Sequence, residues 1–518
     1  MKAALTVLWF SGLISLSIAA VFEGSLYMEE GTFVFRRGVS DPAAVGRGRF
    51  DDSIQTQGCG SLDVETSPLY DDLAQMVAAG YLEGALTQHR IYQHFQNFWS
   101  LLKFDVRPPK PEVLAFLATH WAWVRENVNR RSAEDSYWAN VGFTMAQIDG
   151  LFRGYNAVAP PAEALTEDQL LLLQSLGDLI EVCDRFGRNS STSPHCDAEC
   201  AAKWRLGSSC TAIVKPLGDR SDILISHNLW ATLESMLRIF KHYHIPLRHP
   251  SVQATRVSFS SHPGFVYSLD DFYILDSGLV VLETSNLLLN SSLLELIQPQ
   301  VVLTWVRATV ANRMAATGPA WAFVFRQYNS GTYNNQWIVT DRKLFQAGRA
   351  QLAPNTVYLV EPIPGEVAEE DVTPVVQTQG YFPSYNIPYT PRIYERAGYT
   401  DARELNGDEF SYTLCPRAKM IRRDQGELTS VERLQRYMRY NRYQTDPLSL
   451  EPPEDMAATD AKVTSALLAE SFITYGVVGP TWDDQPVFCW SNSTLAGHSH
   501  QGQPDCLRFD YVRLAPHF

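Results

Sequence analysis

Apolar residues recur at mixed three- and four-residue steps from Pro68 onward, in PLYDDLAQMVAAGYLEGALTQHRIYQHFQNFW, and this spacing predicts packed helices. VLAFLATHWAWVRENV (113 to 128) and LTEDQLLLLQSLGDLIEVC (165 to 183) carry the same period. Thr166, followed by Glu167 and Asp168, gives the latter a start, because carboxylates in a first turn complement the helix dipole. The first half of the chain therefore reads as helix-rich. After Cys210 the period shortens. TAIVK, DILISH, RVSFS, DFYIL, GLVVLET, QWIVTD and TVYLVEP are short β-branched or aromatic runs bounded by Gly, Pro, Asn or Asp, which predict strands. Helical spacing returns in LWATLESMLRIFKHY (229 to 243) and VVLTWVRATVANRMA (301 to 315). Helices first, then strands with helices among them, predict a layered α+β architecture without internal repeats. Between the two regimes, residues 184–209 are polar, hold Gly and Pro and lack a period, so they predict an exposed loop within reach of proteases.

The chain begins MKAALTVLWFSGLISLSIAA. Lys2, an apolar stretch from Leu5 to Leu16 and the small-x-small triplet Ser17-Ile18-Ala19 predict a signal peptide over residues 1–20, removed near Ala19 or Ala20. No later run is long and apolar enough to span a bilayer. The expected product is a protein of the secretory pathway, secreted or lysosomal, with no integral membrane segment. Three N-x-S/T triplets, at Asn189, Asn290 and Asn492, fit glycosylation in that compartment. With 45% hydrophobic and 19% charged residues the 518-residue chain has a globular composition. Its formal charge of −14 argues against a nucleic-acid partner and suits an acidic compartment.

Eight cysteines stand at 59, 183, 196, 200, 210, 415, 489 and 506. Cys489 and Cys506 flank a C-terminal loop and are the best candidate disulfide. Cys183, Cys196 and Cys200 crowd the polar loop, where a pair among them is expected with its connectivity open. Together with His195 they also resemble a zinc set, but the spacing is irregular and the compartment oxidising, so no metal is expected. Cys210 is a different case. It follows two serines at the start of a strand, where a half-cystine or a reactive thiol are both admissible. A nucleophilic thiol needs a base. Folding TAIVK and DILISH into a hairpin through PLGDRS brings His227 beside Cys210 at one edge of a sheet. A second base appears if the Ser209–Cys210 bond is broken: the new α-amino group, with an intrinsic pKa near ~8, takes the proton of its own thiol.

Ten strings in order carry a family resemblance over nearly the whole mature chain: GYLEGALT, MAQIDGL, CTAIVKPLGDRSDILISHNLW, SFSSHPGF, LDDFYIL, YNSGTYNNQW, SYNIPY, PRAKMIRRDQG, YNRYQTDPLSL and GPTWDDQPVF. The chain resembles the phospholipase B-like (lamina ancestor) family of N-terminal nucleophile hydrolases. The resemblance implies an αββα sandwich, two stacked antiparallel sheets with helices on both outer faces, and no cofactor. It further implies cleavage before Cys210, giving a small chain from residues 21–209 and a large chain from 210–518 that stay associated as one composite domain. Cys210 then matches the nucleophile, and His227 and Trp230 match active-site positions. Asn386 in SYNIPY corresponds to an oxyanion-supporting asparagine and Arg417 in PRAKM to an arginine near the nucleophile. A pocket-lining threonine falls on Thr284 or Ser285, where this chain has TS and the family often has TT. The implied substrate is a phospholipid that loses an acyl group. An N-acyl or peptide-like amide is the alternative, and a catalytically weak lipid-binding glycoprotein is the rival outside enzymes.

Other residues read as structural. Asn334 and Asn335 suit a turn before a strand. Arg422, Arg423 and Asp424 suit an ion-pair network, and the histidines of KHYHIPLRH and GHSHQG read as surface residues. Asp270 and Asp271, neighbours on a strand, point to opposite faces and make no acid–base dyad. No G-x-S-x-G string is present, so a serine nucleophile elbow is excluded.

Overall fold

A computed structural model of the chain describes residues 20–104, 109–187, 209–449 and 458–518. The expected signal peptide up to residue 19 and residues 188–208 of the polar loop, with Asn189, His195, Cys196 and Cys200, lie outside the described residues.

The chain opens with four strands, β1 (Ala20–Glu29), β2 (Thr32–Arg37), β3 (Gly46–Asp52) and β4 (Cys59–Thr66). Past the helices come β5 (Ser209–Pro216), β6 (Ile223–Trp230), β7 (Arg238–His244), β8 (Arg256–Ser261), β9 (Phe272–Leu275) and β10 (Leu279–Ser285). β11 (Asn335–Asp341), β12 (Val357–Ile363), β13 (Glu366–Asp371), β14 (Phe382–Ser384), β15 (Asp460–Ser465), β16 (Thr474–Val478) and β17 (Val512–Leu514) are the remaining strands among the described residues. They form two sheets. The larger has 11 strands in the order β13-β12-β11-β10-β9-β8-β7-β4-β3-β1-β2; the smaller has six in the order β14-β5-β6-β15-β16-β17. Every pairing is antiparallel except β4 with β7, which is parallel and joins the strands before Ser209 to those after it. The larger sheet is thus mixed rather than purely antiparallel.

Side-chain alternation sets the layers. Ala212, Val214, Ile223 and Ile225 of the small sheet share one apolar cluster with Phe240, Val280, Leu282 and Ile338 of the large sheet, so these faces pack on each other. The opposite residues of the large sheet, Ile239, Val281 and Val339, join Met76, Ile91, Val141 and Trp305 from the helices. On the far side, Ile213, Leu224, Ala461 and Val463 meet Ile393, Ala418, Ile421 and Leu434 of the later helices. The order is helices, sheet, sheet, helices.

Most expected elements form. The seven strand runs after Cys210 are strands, and helices cover Asp72–Leu86, Gln88–Leu101, Pro111–Arg131 and Thr304–Met314. Thr166 caps its helix through a reciprocal bond with Gln169. That helix stops at Gln174 and a second runs Leu179–Gly187; in the turn between them Asp178 accepts the Thr304 amide at 2.9 Å. Residues 229–243 are not a helix: they finish β6, make a short turn at Leu233–Ser235 and become β7. β7 is buried on both faces, and an apolar run buried on both faces lacks the alternation that separates strand from helix. The helix-rich reading of the first half likewise missed β1 to β4. His242 on β7 is a core residue and not a surface one, its Nδ1 2.6 Å from Ser258 Oγ.

Helices Asp72–Leu86 and Ser136–Val158 approach so closely that only glycine fits the contact. A Cβ at Gly80 would stand 1.8 Å from the Gln147 carbonyl oxygen, and one at Gly154 2.1 Å from that of Tyr81. Gly154→Ala is expected to destabilise the protein by about 3 kcal/mol in urea unfolding, the upper range for overpacking. Gly426→Ala, whose Cβ would meet nothing within 4 Å, is the control and changes little.

Candidate active site

Cys210 is the second residue of β5, and β5 and β6 form the expected hairpin. The register pairs Cys210 with Leu229, while His227 lies opposite Ala212. A two-residue offset keeps Cys210 and His227 on one face, and Sγ and a His227 ring nitrogen come within 4.8 Å of each other. The pair is interior and not at a sheet edge, because β14 and β6 flank β5. Cys210 is 1% exposed.

The main chain of Cys210 is held more firmly than its sulfur. Its N–H donates to Asn386 Oδ1 at 2.8 Å. Arg417 Nη1 donates to the Cys210 carbonyl at 2.5 Å and to Asn386 Oδ1 at 2.9 Å, while Nη2 donates to the Tyr385 carbonyl at 2.7 Å. Asn386 sits in the left-handed region with φ 69°, a conformation asparagine tolerates better than most side chains. Its Nδ2 donates to the Ser285 carbonyl at 2.6 Å, and its backbone N–H to Thr284 Oγ1 at 3.2 Å. Thr284 in turn meets Ser384 Oγ at 2.6 Å. Trp230 lies under the Arg417 guanidinium, 5.2 Å from carbon to ring centre, and its Nε1 donates to Asn228. Every site residue named from the resemblance therefore falls in one neighbourhood. The Asn386 carbonyl faces the Cys210 nitrogen, and its amide donor is already bonded to Ser285.

Burial dominates the electrostatics. It pushes the Cys210 thiol well above its ordinary pKa, with Glu283 adding to the rise. It also holds the His227 imidazole well below its ordinary value, neutral, and neither ring nitrogen has a hydrogen-bond partner among the described residues. Beside this pair runs an ionic seam between the sheets. Arg238 bonds Asp270 and Asp460, and Lys462 bonds the same two carboxylates at 2.6 and 2.7 Å. A His227 nitrogen lies within 4.8 Å of both aspartates. Asp270 is held well below the carboxylate range by Arg238 and Lys462, which outweigh its burial. Asp271, in contrast, is raised by burial and bonds Tyr333 Oη at 2.9 Å.

Sequence reasoning missed Glu283, Tyr333 and the seam. Their signal was an acid, Glu283, inside the apolar run GLVVLET. Asp270 and Asp271 are no dyad, as expected, but they lie in a turn ahead of β9 and not on a strand, with Asp271 at φ 36°. Asn334 donates to Glu181 and the Gly331 carbonyl within its turn, and Arg423 pairs with Asp424 and Asp446. Among the thiols, Cys59, Cys183 and Cys415 are buried and free like Cys210, and Cys489 bridges Cys506. Cys183 thus takes no part in the pairing expected around the loop. Asn492 is exposed, whereas Asn290 is half-buried and donates its Nδ2 to the Arg396 carbonyl. Leu229 and Ala231, which pack with Cys210, also line a small cleft with Phe98, Leu269, His262 and Tyr333.

Residues 46–514 match the family model for phospholipase B. Phospholipase B-like 1 of Homo sapiens is 36% identical over 505 residues, covering 93% of this chain and 89% of that protein. Phospholipase B of Crotalus adamanteus is 35% identical over 494 residues, with 90% and 88% covered. Putative phospholipase B-like 2 of Homo sapiens is 35% identical over 520 residues, with 92% and 86% covered. The chain belongs to the phospholipase B family, a family of hydrolases.

The buried acids and imidazoles set the pH response. Burial raises Glu181 to about 7 and Asp63 to about 6, and lifts Asp271 and Glu283 well above the carboxylate range. A carboxyl raised in the fold stabilises at low pH and loses that contribution as pH rises through its folded value. Burial lowers His94 and His242 to about 3 and His120 to about 4, with His227 and His262 well below 6.5. These destabilise as pH falls below ~6.5, where the unfolded chain takes protons the fold refuses. The two sets oppose each other from about pH 4.5 to 6.5, and only the carboxyls act above it. Glu181 gives up its contribution between about pH 4.5 and 7, so Glu181→Gln is expected to remove a fall in melting temperature inside that window and to leave the shape of the profile above about pH 7 unchanged.

Proposed function

We propose that this protein removes acyl groups from phospholipids, using Cys210 as an N-terminal nucleophile on an N-terminal nucleophile hydrolase fold. The Cys210 sulfur adds to the Ser209 carbonyl carbon, the C–N bond breaks, and the thiol proton passes to the departing nitrogen. Water then hydrolyses the resulting thioester, leaving Ser209 as a carboxylate and Cys210 with a free amine and thiol. In turnover the amine takes the thiol proton, the sulfur adds to the ester carbonyl, and the leaving alcohol receives the proton from the ammonium. Water hydrolyses the acyl thioester to release the fatty acid.

The observation that carries this reading is the clamp on the Cys210 nitrogen. Asn386 Oδ1 already receives its N–H, and Arg417 holds Asn386 and the Cys210 carbonyl together. The freed amine is thereby kept beside its own sulfur, and Asn386 serves to orient it. The relatives' names, phospholipase B and phospholipase B-like, support the ester substrate. We place the protein in the secretory pathway, secreted or lysosomal, from its opening sequence. The two chains stay together because β4 and β7, on either side of the cleavage, share a ladder seven residues long.

Fatty acid released from dioleoyl phosphatidylcholine vesicles and from an N-acyl amide, side by side, tests the reading. Release from the vesicles is expected, abolished in Cys210→Ala. Release from the amide alone would replace the ester with an amide substrate. No release from either would leave a lipid-binding glycoprotein.

A further inference from the structure

We propose that Glu283, as a neutral carboxylic acid, donates a hydrogen bond to the Cys210 sulfur and stabilises the attacking thiolate. This rests on the reading of Cys210 as the nucleophile, and it adds a catalytic residue that neither the family resemblance nor the clamp on the main chain supplies.

The geometry comes first. A carboxyl oxygen of Glu283, a ring nitrogen of His227 and the Cys210 sulfur lie within 4.8 Å of one another, all buried. Glu283 Oε1 receives the Tyr333 hydroxyl at 3.3 Å, and Oε2 is buried with no hydrogen-bond partner among the described residues. A buried carboxylate oxygen left unpaired is costly; a protonated one becomes a donor in search of an acceptor. His227, held neutral by burial, offers no charge to the thiolate. Catalytic hydrogen bonds are commonly longer in the resting state than in the reacting one, and the carboxyl oxygen already stands within 4.8 Å of the sulfur.

The groups facing Glu283 explain why it keeps its proton. They are Cys210 on β5, His227 on β6, Asp270 and Asp271 ahead of β9, Tyr333 ahead of β11 and Lys462 on β15. Burial is the largest influence and raises the Glu283 pKa well above the carboxylate range; Asp271 and Asp270 add to it, and the Tyr333 bond and Lys462 oppose it. Lys462 is itself committed to Asp270 and Asp460. Asp271 and Glu283 meet the same Tyr333 hydroxyl, at 2.9 and 3.3 Å. Two buried carboxyls on one hydroxyl do not both ionise, because like charges at that spacing repel in a medium of low dielectric. A carboxylate at Glu283 would oppose the thiolate; a carboxylic acid at the same place supports it. The same side chain thus makes the reaction sensitive to alkali.

The test uses protein whose terminal sequence begins at Cys210 and measures kcat/KM on dihexanoyl phosphatidylcholine from pH 4 to 9. Glu283→Gln keeps a donor and removes the ionisable group. It is expected to retain wild-type activity at acidic pH within about threefold and to extend it at least one pH unit further toward alkali. Glu283→Ala is expected to lose about 10²-fold at acidic pH, the scale of one missing hydrogen-bond donor, with the deficit narrowing toward alkali as the wild-type carboxyl ionises. A Gln profile that superimposes on the wild type, or an Ala variant with wild-type rates, overturns the proposal. Wild-type protein left intact at Ser209–Cys210 overturns the nucleophile reading and this inference with it.

Discussion

Four charges locked between two sheets hold this molecule in register. Arg238 on one sheet and Lys462 on the other share Asp270 and Asp460, and all four side chains are almost fully buried. Removing so many charges from water is costly, and mutual attraction repays it only when every partner is in place. Removing one partner from such a set typically costs about 3–5 kcal/mol, because a charge is then left alone in the interior. The seam therefore ties the small sheet, which carries Cys210 and His227, to the large sheet, which carries Thr284, Ser285 and Glu283. Sliding either sheet by one residue would break both the seam and the candidate site.

Within that frame the site divides into a part that places the main chain and a part that tunes the sulfur. Asn386 and Arg417 grip the nitrogen and carbonyl of Cys210, each with further bonds to the backbone of Ser285 and Tyr385. His227, Glu283 and Tyr333 surround the thiol without touching its backbone. In the intact chain burial keeps the thiol protonated. An amine freed on the same residue would change that balance by supplying a base more basic than the buried His227 imidazole. Glu283 then works in the opposite sense to a base, as a donor that accepts no charge.

Much of this was legible in the residues, and the exceptions share a cause. The β5–β6 hairpin could be read because Pro216, Gly218 and Asp219 punctuate two apolar runs, and Cys489–Cys506 because the two residues bracket one loop. Residues 229–243 were misread because strands covered on both faces carry no alternation. The parallel pairing of β4 with β7 joins segments more than 170 residues apart, and nothing local encodes it. Glu283 was hidden by its setting. One acid in a run of valines and leucines looks like a strand end, and only the fold reveals Cys210 and Tyr333 around it. Asn386 and Arg417 were found through family resemblance, since neither SYNIPY nor PRAKM signals a clamp on a cysteine 176 or 207 residues earlier.

In the proposed reaction a backbone nitrogen becomes the base for its own side chain. Intact-mass and terminal sequencing of the purified protein under denaturing conditions test it most directly. The expected result is two polypeptides, the larger beginning Cys-Thr-Ala-Ile-Val-Lys with an unblocked amine and a free thiol. A single polypeptide continuous through Ser209 and Cys210, or a blocked amine at that terminus, would contradict it.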